Sequence, residues 1–533
     1  MMRCFGLFVS LAVVAGCSSS GTGQTSLNMK LVGTNDLQSR SSYQVLVNKQ
    51  GGKYIAYVGH HTWTGPGEGM APAGTPPLPK RNPITGQDED NGTSMIDVTD
   101  PTHPVYLAHL PVADNAGGGA QMVRVCGNLP NAQNAGNFYM LRSYHSSAHE
   151  IWNVTDPSHP IAVHAVIPGV APTATNRGNP LIGDQTGGAN KMASTHKSFW
   201  ECSTGIAYVV GSRGTDAAAG WKTGHHIMLY DLSNPEAANP RFIRDWTLDG
   251  QQPGADYLPQ YAADHIAPAI HGPVSIGPGG VGAGVINRVY FAYGVGDHGV
   301  MQVADRSKLL DPNIPTTDFM TPEITRWYMN PDNGGHTSWP LGKIAVTDFM
   351  TGNGNDKGTM RDIVVVTSEA TGNFCSEVRH MTYLVDVTTP DLPQGISTFM
   401  VPAESGMFCD VGGRFGPHAT NEEFGPPFYQ KLVFISYFNA GVRAVDVRDP
   451  YNPKEVAFYI PSTTANTDLR CGPYRDKRCA AQDHSDCVCK KVIQTNNVAT
   501  DDRGYVYIVD RANTGMHILQ LTGDAAAIAG LPH

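Results

Sequence analysis

Four histidines stand at matching places along the chain: His196 in THKSFWEC, His271 in IHGPVSI, His336 in GHTSWPL and His418 in PHATNEE. Each opens a run that reads as a β-strand, and the corresponding place in the next unit holds Asn497. Neutral imidazoles gathered around one axis suit Fe(II), Cu, Zn or Ni. A carboxylate such as Glu369 is placed to orient them from behind. Other strand-like runs end on reactive side chains: His60, His61, Tyr144, His145, His149, Arg213, His298, Glu369, Tyr437 and Arg511. Three readings stay open for this set. The histidines form a transition-metal site; or, with Arg213 and Arg511, they bind an anionic ligand in a metal-free pocket; or they bond the backbone carbonyls of neighbouring strands. His145 and His149 have the i, i+4 spacing that pairs ligands on a helix, but their surroundings read as strand and loop. A Gly-x-Ser-x-Gly elbow, a phosphate loop and a His-Glu-x-x-His motif are all missing, so the sequence assigns no reaction.

Something must bring these positions together, and a repeat supplies it. One phrase recurs five times: Asp97-Val-Thr-Asp-Pro101, Asn153-Val-Thr-Asp-Pro157, Asp231-Leu-Ser-Asn-Pro235, Asp386-Val-Thr-Thr-Pro390 and Asp446-Val-Arg-Asp-Pro450. Each copy lies between two strand-like runs, as in MLYDL before Pro235 and EVAFYI after Pro450. Asp, Asn, Ser or Thr bonds the local backbone there, and Pro fixes φ while ending the ladder, which makes the phrase an interstrand turn. Worn copies around Asp305 and Gln520 lack the proline. A second strand signal precedes each anchor, and a third, often opening with His, precedes that one. Four strands repeated seven times predict a single all-β propeller over 27–525, followed by a tail at 526–533. Six or eight blades are the alternatives. The last unit ends after its third strand, so LNMKLVGTND near the N-terminus is expected to supply the missing strand and close the ring, leaving no free sheet edge. The mouth of such a ring would collect the histidines, Asn497 and the strand ends. The long Pro- and Gly-rich loop 59–83 is long enough to cover that mouth.

The phrase resembles the repeat of the LVIVD family, in which each blade carries an apolar-Val-Asp-Val-Ser/Thr-Asp-Pro segment after a Tyr-Val strand. The resemblance covers nearly all of the chain beyond the leader and implies a propeller; the family implies little about activity. Carotenoid-cleaving oxygenases also place four histidines on a propeller axis, and selenium-binding proteins are His-rich propellers. Both are likenesses of architecture without shared motifs.

The N-terminus reads MMRCFGLFVSLAVVAGC, a basic residue, a short apolar run and a small-residue cleavage site. Val14-Ala15-Gly16-Cys17 resembles the lipobox of bacterial lipoproteins, which implies a leader at 1–16, lipidation of Cys17 and a tether at 17–26. The expected location is the bacterial cell envelope, with the membrane as partner through the anchor; Ser18 favours the outer membrane or cell surface. With Cys4 and Cys17 set aside, eight of the 10 cysteines remain, an even number that predicts disulfides in an oxidising compartment. Cys126 with Cys202 and Cys375 with Cys409 are the plausible couples. Cys471, Cys479, Cys487 and Cys489 crowd one segment with His484, as two bridges or as a zinc site. A net charge of −10 argues against nucleic acid as a partner. Two functions follow: a metal- or ligand-binding propeller, extending to a metal-dependent oxidoreductase, or a non-catalytic scaffold that binds another envelope protein.

Overall fold

The computed structural model describes residues 25–61, 79–112, 119–166, 192–278, 287–296, 298–315, 318–330, 332–346, 359–472 and 488–532. Cys17, Cys479, Cys487, His484 and most of the 59–83 loop lie outside them. The described chain forms seven antiparallel sheets arranged as the blades of a β-propeller. Blade 1 pairs Ser42–Gln50, Lys53–His60, Gly92–Asp97 and Val105–Pro111 in that order. Blades 2 to 5 repeat this meander from the axis outward; in blade 6 the inner segment after His418 joins only through a bridge of Thr420 to Ile435, and blade 7 takes its outer strand from the N-terminal segment.

All seven anchors close the third strand of their blade, from Gly92–Asp97 in blade 1 to Met516–Leu521 in blade 7. The chemistry of the turn is the expected one. Asp97 accepts the N–H of Thr99 at 3.0 Å, Asn153 that of Thr155 at 3.0 Å, Asp231 that of Ser233 at 3.0 Å, Asp386 that of Thr388 at 2.8 Å and Asp446 that of Arg448 at 3.1 Å. At Asp305 the same carboxylate caps the short helix Arg306–Leu310, which stands where the other copies turn.

The strands bury both faces, because each blade packs on two neighbours. Along Met360–Ser368, Ile363 and Val365 join a cluster with Val433 and Ile435 of blade 6, whereas Val364 and Val366 join one with Tyr290 and Val303 of blade 4. Alternation therefore decides which neighbour a residue meets, and the strands read as unbroken apolar runs.

Closure follows the expectation and adds to it. Met29–Asn35 pairs antiparallel with Met516–Leu521, from Met29 opposite Leu521 to Asn35 opposite Met516, and completes blade 7. Thr25–Leu27, just before it, pairs with Lys454–Ile460 of blade 6, so the N-terminal segment straps two blades together. The expected tail is instead the helix Gly523–Ala529, whose Ala525, Ala526 and Ala529 pack in the core shared by blades 6 and 7. Disulfides join Cys126 to Cys202, Cys375 to Cys409 and Cys471 to Cys489. Among the described residues no helix is long and apolar enough to cross a membrane.

Candidate metal centre

A β-bulge opens the innermost strands and aims one side chain at the axis. Register shifts leave Tyr43, His271, His336 and Asn496 as the extra residues of blades 1, 4, 5 and 7. His196 and His418 take the same place in blades 3 and 6: the N–H of His196 donates to the Val210 carbonyl, whose own N–H donates to Lys197, and His418, Ser436 and Ala419 repeat this. An inserted residue bends the strand and re-aims its side chain, a common device at sites.

The four imidazoles meet. Ring centroids lie 4.6 Å apart for His196 and His271, 4.0 Å for His271 and His336, and 4.1 Å for His336 and His418. Tyr43 closes the circle, with its hydroxyl 3.3 Å from His196 Nε2 and its ring 5.5 Å from that of His418. The next blade's backbone fixes two of the rings. His271 Nδ1 lies 3.2 Å from the His336 carbonyl oxygen and His418 Nδ1 lies 2.5 Å from that of Asn496. A carbonyl only accepts, so both rings carry their proton on Nδ1 and turn an Nε2 lone pair inward. Thus the carbonyl-bonding role and the ligand role coexist on one ring. His196 Nε2 approaches His271 Nε2 to 2.9 Å, a contact a shared proton makes and a metal ion would replace.

Glu369, from the end of the second strand of blade 5, faces the cluster with Oε2 at 4.0 Å from His271 Nε2 and Oε1 at 3.6 Å from His418 Nε2. Arg414 holds Oε1 at 3.1 Å. Burial first, and then neighbouring charges (other histidines for His196, His271 and His336, Arg511 and Arg414 for His418, and Lys197 for all), holds all four imidazoles well below their usual range, which favours their neutral form.

Beneath the ring the channel is plugged by charge. Glu422 accepts from Arg124 at 2.5 Å and from Lys197, whose ammonium also donates to Thr337 Oγ1 at 3.2 Å. Thr337 Oγ1 is in turn 2.8 Å from His336 Nδ1, which links this floor to the imidazoles. Burial pushes the Glu422 carboxyl up, but Arg124 and Lys197 outweigh it and hold the group below its usual range. Next to it, burial and the Glu422 charge raise Glu423 to about 7.

The other expected site residues divide. Arg511 is at the site, its guanidinium 5.1 Å from the Tyr43 ring and 5.7 Å from that of Phe438. His61 stacks on Tyr43 at 5.6 Å, and His145 lines a cavity of about 260 Å³ beside His196, with Gln121, Ser146, Thr195 and His225. Asn497 is one residue from the axial position, which the bulge gives to Asn496. Tyr144 packs with Val112, Ala120 and Ala148, and the Tyr437 hydroxyl receives the Val401 N–H; neither joins the ring. Arg213 pairs with Asp245 at 2.7 Å, and His298 sits at Tyr261 in a separate cavity. His60 bonds Ser94, and His149 bonds the Val210 carbonyl. Tyr43, Arg414, Phe438, Lys197, Arg124 and Glu422 were not expected. The strings THKS and HATNEE already put two of these charges beside axial histidines.

Fold and ring together define a seven-bladed propeller with a histidine-lined axial site. No protein-family model matches the chain, and no curated protein matches it in sequence. Among solved structures it is similar to YCF48 bound to D1 peptide, at 6% identity over 93% of this chain and 94% of that one, with a TM-score of 0.40. It is also similar to the Dos1 propeller, at 10% identity over 93% and 96%, with a TM-score of 0.36.

Proposed function

We propose that the axial ring holds one transition-metal ion, with His271, His336 and Glu369 as its central ligands and His196 and His418 completing the set. One observation carries this reading. A ligand atom from each of His271, His336 and Glu369 lies within 4.8 Å of the other two, in a buried place. Nε2 of His336 and of His418 are buried there with no hydrogen-bond partner among the described residues. Buried nitrogen atoms are rarely left in that state unless water or an ion answers them. A nitrogen-rich set with one carboxylate suits Fe, Cu, Zn or Ni. Such an ion, reached from the cavity beside His196, would polarise or oxidise a second molecule as in a metal-dependent oxidoreductase.

In the same reading the chain is an envelope lipoprotein anchored through Cys17 and a member of the LVIVD-repeat family. The disulfides suit an oxidising compartment, and the repeated Asx turns suit the family. Protein purified without a histidine tag should carry about one equivalent of a transition metal, falling below about a tenth in His271→Ala and in Glu369→Gln. If the parent, reconstituted with each ion, still holds less than about a tenth of an equivalent, the metal reading fails and a binding scaffold replaces it. Cys17→Ala should move the protein from the membrane to the soluble fraction; unchanged partitioning would remove the anchor.

A further inference from the structure

Thr25 stands at one end of blade 6, opposite Ile460, the last residue of the outer strand Lys454–Ile460. It lines a cavity of about 370 Å³ with Asn439, whose neighbour Phe438 packs on His418 at 5.1 Å. The chain therefore enters the ring on the face where the axial imidazoles gather. Eight peptide links separate Thr25 from Cys17, and a chain of that length spans at most roughly 29 Å. Running back along Lys454–Ile460 to the opposite face would consume about 20 Å of that reach.

The same face is apolar where the chain enters. Met407, Val488, Val378 and Met400 are 58%, 52%, 43% and 40% exposed, all in connections at this end of blades 5 to 7. These connections touch one another. Cys375 is bridged to Cys409, Lys490 donates to the Asp410 carbonyl, and the Phe374 ring lies against both Gly412 and Gly472. Gly472 stands opposite Val488 in its hairpin, and Met407 sits between Gly406 and Phe408, which line the cavity beside Thr25. At the opposite end Val105, Ile161 and Phe242 are also exposed, but one to a blade, at the starts of outer strands. Apolar side chains scattered singly are ordinary, whereas a connected group marks a contact. Charge does not single out this face: the exposed Arg379, Lys490 and Lys491 are nearly offset by Glu404 and Asp410. Its attraction is apolar.

We propose that this face docks on a lipid bilayer, with Met407 and Val488 entering the interface and the mouth of the histidine ring turned toward the membrane. The docking rests on the anchor at Cys17 proposed above, which holds the protein within reach of the surface. An anchored chain meets the bilayer at high effective concentration, so a few side chains suffice where they would not bind from solution. The cavity of about 260 Å³ beside His196 is lined by connections at the same end of blades 2 and 3. A ligand of the ring then arrives along the lipid surface, which favours amphiphilic molecules over freely soluble ones.

The test uses the full mature protein, extracted in detergent and reconstituted into phosphatidylcholine vesicles, plain or brominated on the acyl chains. Bromine quenches tryptophan emission only at close range, so Met407→Trp and Val105→Trp report the two faces against the parent's own emission. Mass spectrometry reads the lipid on Cys17, and near-ultraviolet circular dichroism checks that each variant is folded. The emission added by Met407→Trp is expected to fall at least about twofold in brominated vesicles, while that added by Val105→Trp stays unchanged. Adding Val378→Glu and Val488→Glu to Met407→Trp should relieve the quenching. If Cys17 carries lipid and Met407→Trp is not quenched, or both tryptophans are quenched alike, the docking face is overturned and the anchor stands. If Cys17 carries no lipid, the anchor falls; selective quenching of Met407→Trp then keeps the docking face, and its absence removes that as well.

Discussion

The melting temperature should fall by more than about 2 °C between about pH 7.5 and about pH 5.0, measured by calorimetry on metal-free protein. The cause is a set of histidines that are buried and neutral in the folded chain. Burial lowers His60 to about 3 and His149 and His517 to about 4. His109, His196, His271, His336 and His418 are also held well below the usual value by burial and then by neighbouring charges. In the unfolded chain each titrates near 6.5, so as pH falls through that value the unfolded state binds protons that the folded state refuses. Stability is therefore present above about pH 6.5 and lost below it, at about 2 kcal/mol by pH 5.0 for each of His60, His149 and His517, and the other buried histidines add to the loss in the same sense. Glu423, raised to about 7, and Asp510, raised by burial to about 6, work in the opposite sense: the folded state takes up their protons first. Together they return about 4 kcal/mol, less than the roughly 6 kcal/mol lost at His60, His149 and His517 alone, so stability falls on balance. For a domain of this size the unfolding entropy is about 1 kcal/mol per degree, so these five groups alone set a shift of about 2 °C and the remaining histidines enlarge it. A melting temperature constant to within about 2 °C over this range would show that the buried imidazoles find protons or partners in the folded state.

Glu422→Gln should destabilise the ring by about 3–5 kcal/mol, lowering the melting temperature by about 4 °C. The side chains of Lys197, Arg124 and Glu422 are 0%, 8% and 9% exposed, so the glutamine would leave two cations facing one another with almost no water to screen them. Lys197→Met alone keeps the Arg124–Glu422 pair and should cost less. Adding Lys197→Met to Glu422→Gln should recover part of the loss, because one of the two stranded charges is then gone. A simple sum of the two single effects would mean that the plug is not one coupled unit.

The fold was legible because its signal is local. An Asp or Asn that bonds the backbone two residues on, followed by a proline, makes its turn wherever it occurs; five such anchors, with worn copies at Asp305 and Gln520 at matching intervals, marked seven blades. Even the latch was legible, since a three-stranded last unit left an edge to be covered. The site was legible only to the first residue of each inner strand. His196, His271, His336 and His418 met as expected, but a bulge inserts one residue and moves the axial place to Asn496 rather than Asn497. Periodicity gives no warning of such an insertion. The same one-residue uncertainty separates Tyr437, in the core, from Phe438, against the His418 ring at 5.1 Å. Arg213 lies apart from the ring, paired with Asp245 across the intervening strand of its blade, and an ion pair of that kind leaves no mark in the spacing. The plug of Arg124, Lys197 and Glu422 joins blades 2, 3 and 6, and only the closed ring brings those strands to one axis.

The strap formed by the N-terminal segment has a consequence for the order of assembly. Met29 meets Leu521, so a strand made early is among the last to be placed. Contacts so distant in sequence are slow to form, because nearly the whole chain must be organised before they are rewarded. Blades 1 to 6 can each collapse as hairpins next to a neighbour already present, yet none of them is locked until blade 7 arrives. Because Thr25–Leu27 also grips blade 6, a chain cut short before Met516–Leu521 would leave the strap attached to one blade with its other half exposed. The seam thus acts as a check on length: only a chain that carries both ends can become a ring.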